Sequence, residues 1–124
     1  ASGSWGAIKA RPEDRRNFTL LMALLRENLD ALGRRNGKRY EISFAGAPGR
    51  SYLTWIEPEK LAAIADYVKI MAYDFYGGWS ETTGFLANLY PSKMKPDDIS
   101  CDAAVNYYLK AGFPPGKILL GVPF

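Results

Sequence analysis

Residues 67–79 read YVKIMAYDFYGGW, an apolar run that ends at a carboxylate, aromatic rings, a glycine pair and a tryptophan. The run Val68–Phe75 has the length and composition of a buried strand. In α/β barrels the chemistry lies where the C-terminal ends of parallel strands meet the loops that follow. A tyrosine hydroxyl (Tyr73), a carboxylate (Asp74) and an indole (Trp79) at such a strand end suit a polar, ring-shaped ligand such as a sugar. A buried strand followed by a solvated loop has the same local pattern, and this run alone does not separate the two.

The rest of the chain alternates between helix and strand patterns. A helix is predicted to begin at Pro12-Glu13-Asp14, because proline suits the first turn and acidic side chains favour the positive end of the helix dipole. Apolar residues recur at helical spacing over Phe18–Leu32, and Gly33 with Asn36-Gly37 is predicted to end this helix. The remaining predicted elements are strand 40–47 ended by Pro48-Gly49, helix 58–66, strand 68–75, helix 100–111 capped by Ser100, and strand 117–124. On the last helix, Val105, Tyr108 and Leu109 are predicted to point inward.

The order α-β-α-β-α-β predicts a parallel sheet covered by helices, either a doubly wound sheet or a segment of a barrel. Residues 76–99 form a long connection rich in Gly, Ser, Thr, Pro and aromatics, and connections of that length are usually functional or disordered. Residues 1–10 are interpreted as a loop. A three-stranded sheet leaves two long free edges, so we expect the chain to be part of something larger.

Strand alternation indicates a second, polar face of the sheet. If Phe44 and Ile70 face the helices, Glu41 and Lys69 lie on the opposite face. A buried charge must be paired, so one hypothesis is that these two side chains form an ion pair inside a barrel. The alternative is that both lie at exposed strand starts.

The composition excludes several kinds of site. The chain has 124 residues, 48% of them hydrophobic, which is enough for one core but hardly for two. It has no histidine, which excludes a Ser-His-Asp triad, a Cys-His pair and an H-E-x-x-H zinc site within it. Cys101 is the single cysteine, so no intrachain disulfide is possible. The mild net charge of +3, with no phosphate-binding glycine motif and no long apolar run, predicts no nucleic-acid partner, no membrane, no metal and no cofactor.

Two motifs resemble those of a known family. Met71-Ala72-Tyr73-Asp74-Phe75 followed by Trp79, together with KILLGVPF at residues 117–124, resembles family 18 glycoside hydrolases, the chitinases and their relatives. Arg11-Pro12-Glu13-Asp14 and Ala87-Asn88-Leu89-Tyr90 add weaker matches, so the resemblance runs from about residue 11 to the C-terminus. It implies an α/β fold with parallel strands: a segment of a (β/α)8 TIM barrel, about strands five to seven with their helices. Residues 1–124 would then be part of one catalytic domain, with no second domain.

The resemblance also implies a chemistry and a set of site residues. The family hydrolyses β-1,4-linked N-acetylglucosamine polymers with retention, the acetamide of the substrate acting as nucleophile and a protonated Glu after strand four as acid. Tyr73 matches the tyrosine that hydrogen-bonds the acetamide, and Asp74 the aspartate that contacts the distorted sugar. Met71 matches a methionine beneath that sugar, Trp79 resembles an aromatic platform on the leaving-group side, and Phe75 is predicted to bind substrate beside them. The expected partner is chitin or its oligosaccharides, and the expected location of the parent protein is extracellular.

Two departures from the family pattern limit these expectations. Gly84 is followed by Phe85 and Leu86 where the family commonly has a histidine, so the cleft is predicted to be more apolar there. The acid motif Asp-x-x-Asp-x-Asp-x-Glu occurs nowhere in the chain and is expected just before residue 1. The isolated chain is therefore predicted to be inactive and to self-associate through exposed barrel edges. The alternatives for the parent are an inactive lectin of the same fold and a family 18 endo-N-acetylglucosaminidase.

Overall fold

The computed structural model describes residues 9–124, so most of the predicted loop at residues 1–10 lies outside the described residues. Three helices and three strands alternate along this part of the chain. In chain order they are α1 (Asp14–Asn36), β1 (Ser43–Gly46), α2 (Pro58–Ile64), β2 (Tyr67–Ile70), α3 (Cys101–Lys110) and β3 (Ile118–Leu120). Short 3-10 turns at Arg50–Trp55 and Pro115–Lys117 precede α2 and β3.

The strands form one parallel sheet in the order β1-β2-β3, as the alternating pattern predicts. In its register Phe44 lies beside Val68, and Val68 beside Ile118. Each strand is shorter than predicted. After β2 the Ala72 N–H turns back to the Ile70 carbonyl at 2.9 Å, so the chain leaves the sheet before Tyr73 instead of continuing to residue 75.

Helix α1 begins where predicted but ends later. The Asp14 carboxylate accepts a hydrogen bond from the Arg11 N–H at 2.9 Å, and this bond lowers the pKa of Asp14. The helix continues through Gly33 to Asn36, and Gly37 ends it in the left-handed conformation at φ 64°. Gly33 is therefore not a terminator. It gives room for the returning chain, because a Cβ there would lie 2.3 Å from the carbonyl oxygen of Lys38.

The core lies between one face of the sheet and the helices. Phe44, Val68 and Ile70 from the strands pack with Leu61 of α2 and Tyr108 of α3, and all five side chains are buried. The rings of Phe44 and Phe113 lie 6.1 Å apart and those of Phe113 and Tyr108 5.5 Å apart, distances that suit edge-to-face contact. Tyr108 was correctly predicted to point inward.

Three predicted buried positions on the helices are wrong, one on α3 and two on α1. Leu109 of α3 is exposed, because the sheet covers only the side of the helix that carries Tyr108. On α1 the predicted apolar stripe is only partly covered: Met22 is buried, but Leu21 and Leu25 are exposed together with Leu20 and Leu24. These four leucines form an uncovered apolar patch on α1.

The hypothesis of an ion pair between Glu41 and Lys69 is wrong. In the register Lys69 lies beside Ala45, and Ala45 is four residues after Glu41. The backbones of Glu41 and Lys69 are therefore separated by about 13 Å along the strand direction. Both side chains are exposed, and Glu41 instead forms a loose ion pair with Arg39 at 3.9 Å. Exposed and buried side chains alternate along β1 and β2, as predicted, and the face that carries Lys69 is the exposed one.

No helix of the described part of the chain is long and apolar enough to cross a membrane. Within the same residues, no group of three or more histidine, cysteine or acidic side chains could hold a metal ion.

Candidate active site

The strands are parallel, so their C-terminal ends at Gly46, Ile70 and Leu120 lie along one edge of the sheet. At this edge the residues after β1 and β2 enclose a depression of about 270 Å³. Its lining residues are Pro48, Met71, Tyr73, Asp74, Phe75 and Ile99. Four of the five predicted site residues thus meet in one place, and the fifth, Trp79, lies outside it.

Asp74 has an unusual backbone and a free carboxylate. Its φ of 54° makes it the one non-glycine residue with positive φ among residues 9–124. Aspartate adopts this left-handed conformation more readily than most residues, yet such a backbone still costs roughly 1 kcal/mol or more. The side chain is exposed, and its oxygens accept no hydrogen bond and form no ion pair with any described residue. The Asp74 carboxylate is therefore available to a ligand.

Tyr73 is half-buried, and its ring packs against the end of β3. A Cβ on Gly121 would lie 3.0 Å from Cε1 of Tyr73 and 2.7 Å from the Ile70 carbonyl oxygen. The Gly121 N–H donates to that same carbonyl at 2.8 Å, which joins the two strand ends. Gly121 therefore allows the ring to approach the backbone closely. The Tyr73 hydroxyl has no hydrogen-bond partner in the described part of the chain, so it too is available to a ligand.

Helix α3 supports the loops at this edge from beneath. The Tyr108 hydroxyl donates to the Ala47 carbonyl at 2.9 Å, just after β1. The Cys101 thiol donates to the Ala72 carbonyl at 3.5 Å, just after β2. Burial raises the pKa of both Tyr108 and Cys101, so both groups keep the proton that these bonds need at neutral pH. The two side chains position the backbone on either side of the depression.

Phe75 and Trp79, which follow Asp74 in the chain, differ in burial: Phe75 packs partly against the core and Trp79 is exposed. The Phe75 N–H donates to the Leu86 carbonyl at 2.9 Å, and its ring packs partly against the core. Trp79 is 71% exposed, and its indole lies over Gly77, where a Cβ would be 2.5 Å from Cη2. The loop thus presents a flat apolar surface to solvent five residues after Asp74 in the sequence.

Comparison with known proteins identifies this arrangement. Residues 3–124 match the family described as glycosyl hydrolases family 18. The chain belongs to glycoside hydrolase family 18. Chitinase A1 of Niallia circulans is 38% identical over 130 residues, an alignment that covers 99% of this chain and 19% of the relative.

Two solved structures of this family have the same fold. Chitinase ChiW from Paenibacillus sp. FPU-7 is 40% identical with a TM-score of 0.90, over 94% of this chain and 10% of that protein. A family 18 N-acetylglucosaminidase from Paenibacillus barengoltzii is 38% identical with a TM-score of 0.87, over 92% of this chain and 34% of that protein. The three parallel strands and their helices are therefore a segment of the family 18 α/β barrel. The chain spans about a fifth of the length of Chitinase A1.

Several residues of this family 18 site were not predicted from the sequence. Cys101 and Tyr108 lie seven positions apart on the buried face of α3. A buried thiol and a buried hydroxyl need hydrogen-bond partners, which was a weak sign that both side chains bond to nearby backbone. Pro48 was noted only as the end of its strand. Ile99 reaches the depression from the far end of a long loop, a placement that local sequence does not encode.

Proposed function

We propose that this chain is part of the catalytic domain of a chitinase-like glycoside hydrolase, which cleaves β-1,4-linked N-acetylglucosamine polymers. The observation that carries the proposal is the pair of unpartnered groups at the C-terminal edge of the sheet, the Tyr73 hydroxyl and the Asp74 carboxylate. Barrel enzymes place their catalytic groups at this edge. The membership of the chain in family 18, and the name of its relative Chitinase A1, support the choice of substrate.

The roles of the side chains follow from their chemistry in a substrate-assisted, retaining reaction. The Tyr73 hydroxyl would donate to the acetamide oxygen as that oxygen attacks the anomeric carbon. The Asp74 carboxylate would accept from the acetamide N–H and so stabilise the cyclic intermediate. Met71 and Phe75 would cover apolar parts of the sugar whose acetamide reacts. The exposed indole of Trp79 would cover the apolar face of the neighbouring sugar on the leaving-group side.

The proton donor must come from outside these residues. No Asp-x-x-Asp-x-Asp-x-Glu motif occurs in the 124 residues, so no carboxylic acid in that motif is present to protonate the leaving oxygen. We infer that the remainder of a larger barrel supplies it, and that the parent protein acts on extracellular polymer. If the parent has lost this Glu, the same cleft would bind chitin oligosaccharides without cleaving them, as a lectin does.

The test is hydrolysis of N-acetylglucosamine hexamer by the protein that contains this chain, with the anomer of the first product followed by NMR. We expect the β-anomer, and Tyr73→Phe and Asp74→Asn should each lower kcat by about 10² or more, because each removes an interaction with the reacting acetamide. Tyr107→Phe and Asp97→Asn are matched controls, since both side chains are outside the depression and unpaired within residues 9–124.

The outcomes separate the alternatives. Initial release of the α-anomer, or full activity in both site variants, would contradict the proposal. Tight binding of the hexamer without turnover by the unaltered protein would identify the lectin. Cleavage of N-linked glycans in preference to chitin oligomers would identify an endo-N-acetylglucosaminidase.

A further inference from the structure

The connection between β2 and α3, residues 76–99, has no helix and no strand, but one carboxylate in it bonds two distant parts of the chain. The Tyr76 hydroxyl donates to the Asp98 carboxylate, whose two oxygens lie 2.9 and 2.8 Å away. One of these oxygens also accepts from the Ile99 N–H at 2.9 Å. Asp98 therefore links a residue shortly after β2 to the residues that lead into α3, across 22 positions of sequence.

The turn that carries Asp98 also contacts the Tyr76 ring. The Asp98 N–H donates to the Lys95 carbonyl at 3.1 Å and closes a turn with Pro96 at its second position, where proline is favoured. The Lys95 ammonium lies 5.5 Å from the centre of the Tyr76 ring, within the range of a cation–π interaction. Gly84 lies against the same ring, because a Cβ there would be 2.3 Å from Cδ2 of Tyr76. The ring thus has contacts that do not depend on its hydroxyl.

The two residues bonded by the Asp98 carboxylate both adjoin the candidate active site. Tyr76 follows Asp74 by two positions, and Ile99 lines the depression itself. Among the described residues that line it, Ile99 is the one that comes from beyond position 75. The hydrogen bond between Tyr76 and Asp98 therefore ties this distant part of the lining to the segment that carries the candidate reactive groups.

The placement of Ile99 depends on side chains of the connection. Its N–H is bonded to Asp98, and its carbonyl accepts from the Asn88 side-chain amide at 3.2 Å. Because Ile99 lies outside the helices and strands, these bonds replace the ladder that fixes a residue in a regular element. Loss of the Tyr76 hydroxyl would leave Asp98 free to move, and Ile99 would move with it.

We propose that Tyr76 and Asp98 are positioning residues for the reaction proposed above. Their hydrogen bond fixes Ile99 in the depression, and Ile99 in turn holds the reacting sugar against Tyr73 and Asp74. The proposal rests on the proposed function for the identity of that sugar. Neither Tyr76 nor Asp98 lines the depression, so both act through Ile99 and not by touching the substrate.

The test is a double-mutant cycle on hexamer hydrolysis by the protein that contains this chain. Tyr76→Phe and Asp98→Ala should each lower kcat about tenfold, less than the roughly 10²-fold that a displacement of about 1 Å can cost. KM should change much less, because a misplaced sugar still binds but reaches the transition state less readily. The double variant should lose no more than Asp98→Ala alone, since both changes remove one hydrogen bond.

Three further variants separate positioning from a general loss of structure. Asp98→Asn keeps an oxygen that accepts from both donors, so it should retain most of the kcat that Asp98→Ala loses. Asp97→Ala alters the neighbouring exposed carboxylate of the same turn, and Tyr107→Phe removes a hydroxyl outside the depression, so both should leave kcat unchanged. Melting temperatures that fall while kcat stays unchanged in Tyr76→Phe and Asp98→Ala would overturn the proposal. Additive losses in the double variant would do the same.

Hydrogen exchange at the Ile99 N–H, followed by mass spectrometry without substrate, tests the geometry apart from the catalysis. Exchange should be faster in Tyr76→Phe and in Asp98→Ala, because the bond that protects this N–H is loosened or lost. Unchanged exchange in both variants would overturn the proposal. If the unaltered protein binds the hexamer without cleaving it, the proposed function fails alone. The two variants should then weaken hexamer binding about tenfold, and unchanged binding would overturn the positioning as well.

Discussion

Asp74 combines an exposed, unpartnered carboxylate with a left-handed backbone, and the two properties have one explanation. The sharp turn after β2 takes the chain out of the sheet, and the positive φ directs residue 74 into the depression instead of back along the strand. The protein thus maintains an unfavourable backbone at the residue for which we propose contact with the reacting sugar. At the neighbouring end of β3, Gly121 lies against the Tyr73 ring and the Ile70 carbonyl, where a larger residue would not fit.

This explanation predicts opposite effects of two small substitutions at residue 74. Asp74→Gly should leave the free energy of unfolding unchanged or raise it slightly, because glycine adopts positive φ without a steric penalty. Asp74→Ala should lower it by roughly 1 kcal/mol, because alanine pays that penalty and gains no polar contact. Urea denaturation of the protein that contains this chain would measure both values. Equal stability of the two variants would show that the left-handed backbone does not persist in solution.

At the scale of the elements, α3 connects the core to the site, because its N-terminal turn lies beneath the end of β2. Ser100 is fully buried and caps the helix, its hydroxyl accepting from the Ala103 N–H at 3.1 Å. The N–H groups of Cys101 and Asp102 donate to the carbonyls of Asn88 and Leu89, so the same turn also fixes the loop. Four groups at one helix end therefore hold the loop, the cap and the Ala72 carbonyl together.

Ser100→Ala should consequently lower the free energy of unfolding by about 1 kcal/mol, the usual effect of removing an N-cap. It should also lower kcat, since the turn it loosens carries Cys101 and its bond to Ala72. Ser51→Ala is the control, since the Ser51 side chain is exposed and makes no hydrogen bond within residues 9–124. Thermal melts and hexamer hydrolysis would measure the two effects. A normal melting temperature in the Ser100 variant would show that the cap contributes nothing.

The elements also show which parts of the fold are predictable from sequence. The helix start at Asp14, the Ser100 cap of α3 and the strand that precedes Tyr73 follow from local chemistry, and the structure has all three. The point where β2 stops depends on a turn whose bonds the sequence does not reveal, so strand ends were overestimated. Ile99 reaches the site only through the tertiary fold, and no local pattern predicts its contact there. The helical pattern predicts that Tyr108 points inward, but it does not reveal that its hydroxyl bonds the Ala47 carbonyl.

At the scale of the whole molecule, the described part of the chain leaves an apolar patch on α1 and two sheet edges uncovered. The leucine patch on α1 comprises Leu20, Leu21, Leu24 and Leu25. The strands β1 and β3 each pair with β2 alone among the described residues, so each has a free edge. An exposed apolar patch and open sheet edges are sites of association between chains.

We therefore expect the isolated 124-residue chain to self-associate and to hydrolyse no chitin oligosaccharide, since it has exposed barrel surfaces and lacks the acid motif. Light scattering over a concentration series would measure association, and Leu24→Gln should reduce it because the leucine patch is disrupted. Glu27→Gln is the matched control, an exposed position on the same helix outside the patch. A chain that stays monomeric at millimolar concentration would contradict the expected self-association. Hydrolysis of chitin oligosaccharides by the chain, after contaminating chitinase is removed, would contradict the expected inactivity. Association unaffected by Leu24→Gln would instead assign it to the sheet edges, and Leu119→Lys in the edge strand β3 should then weaken it.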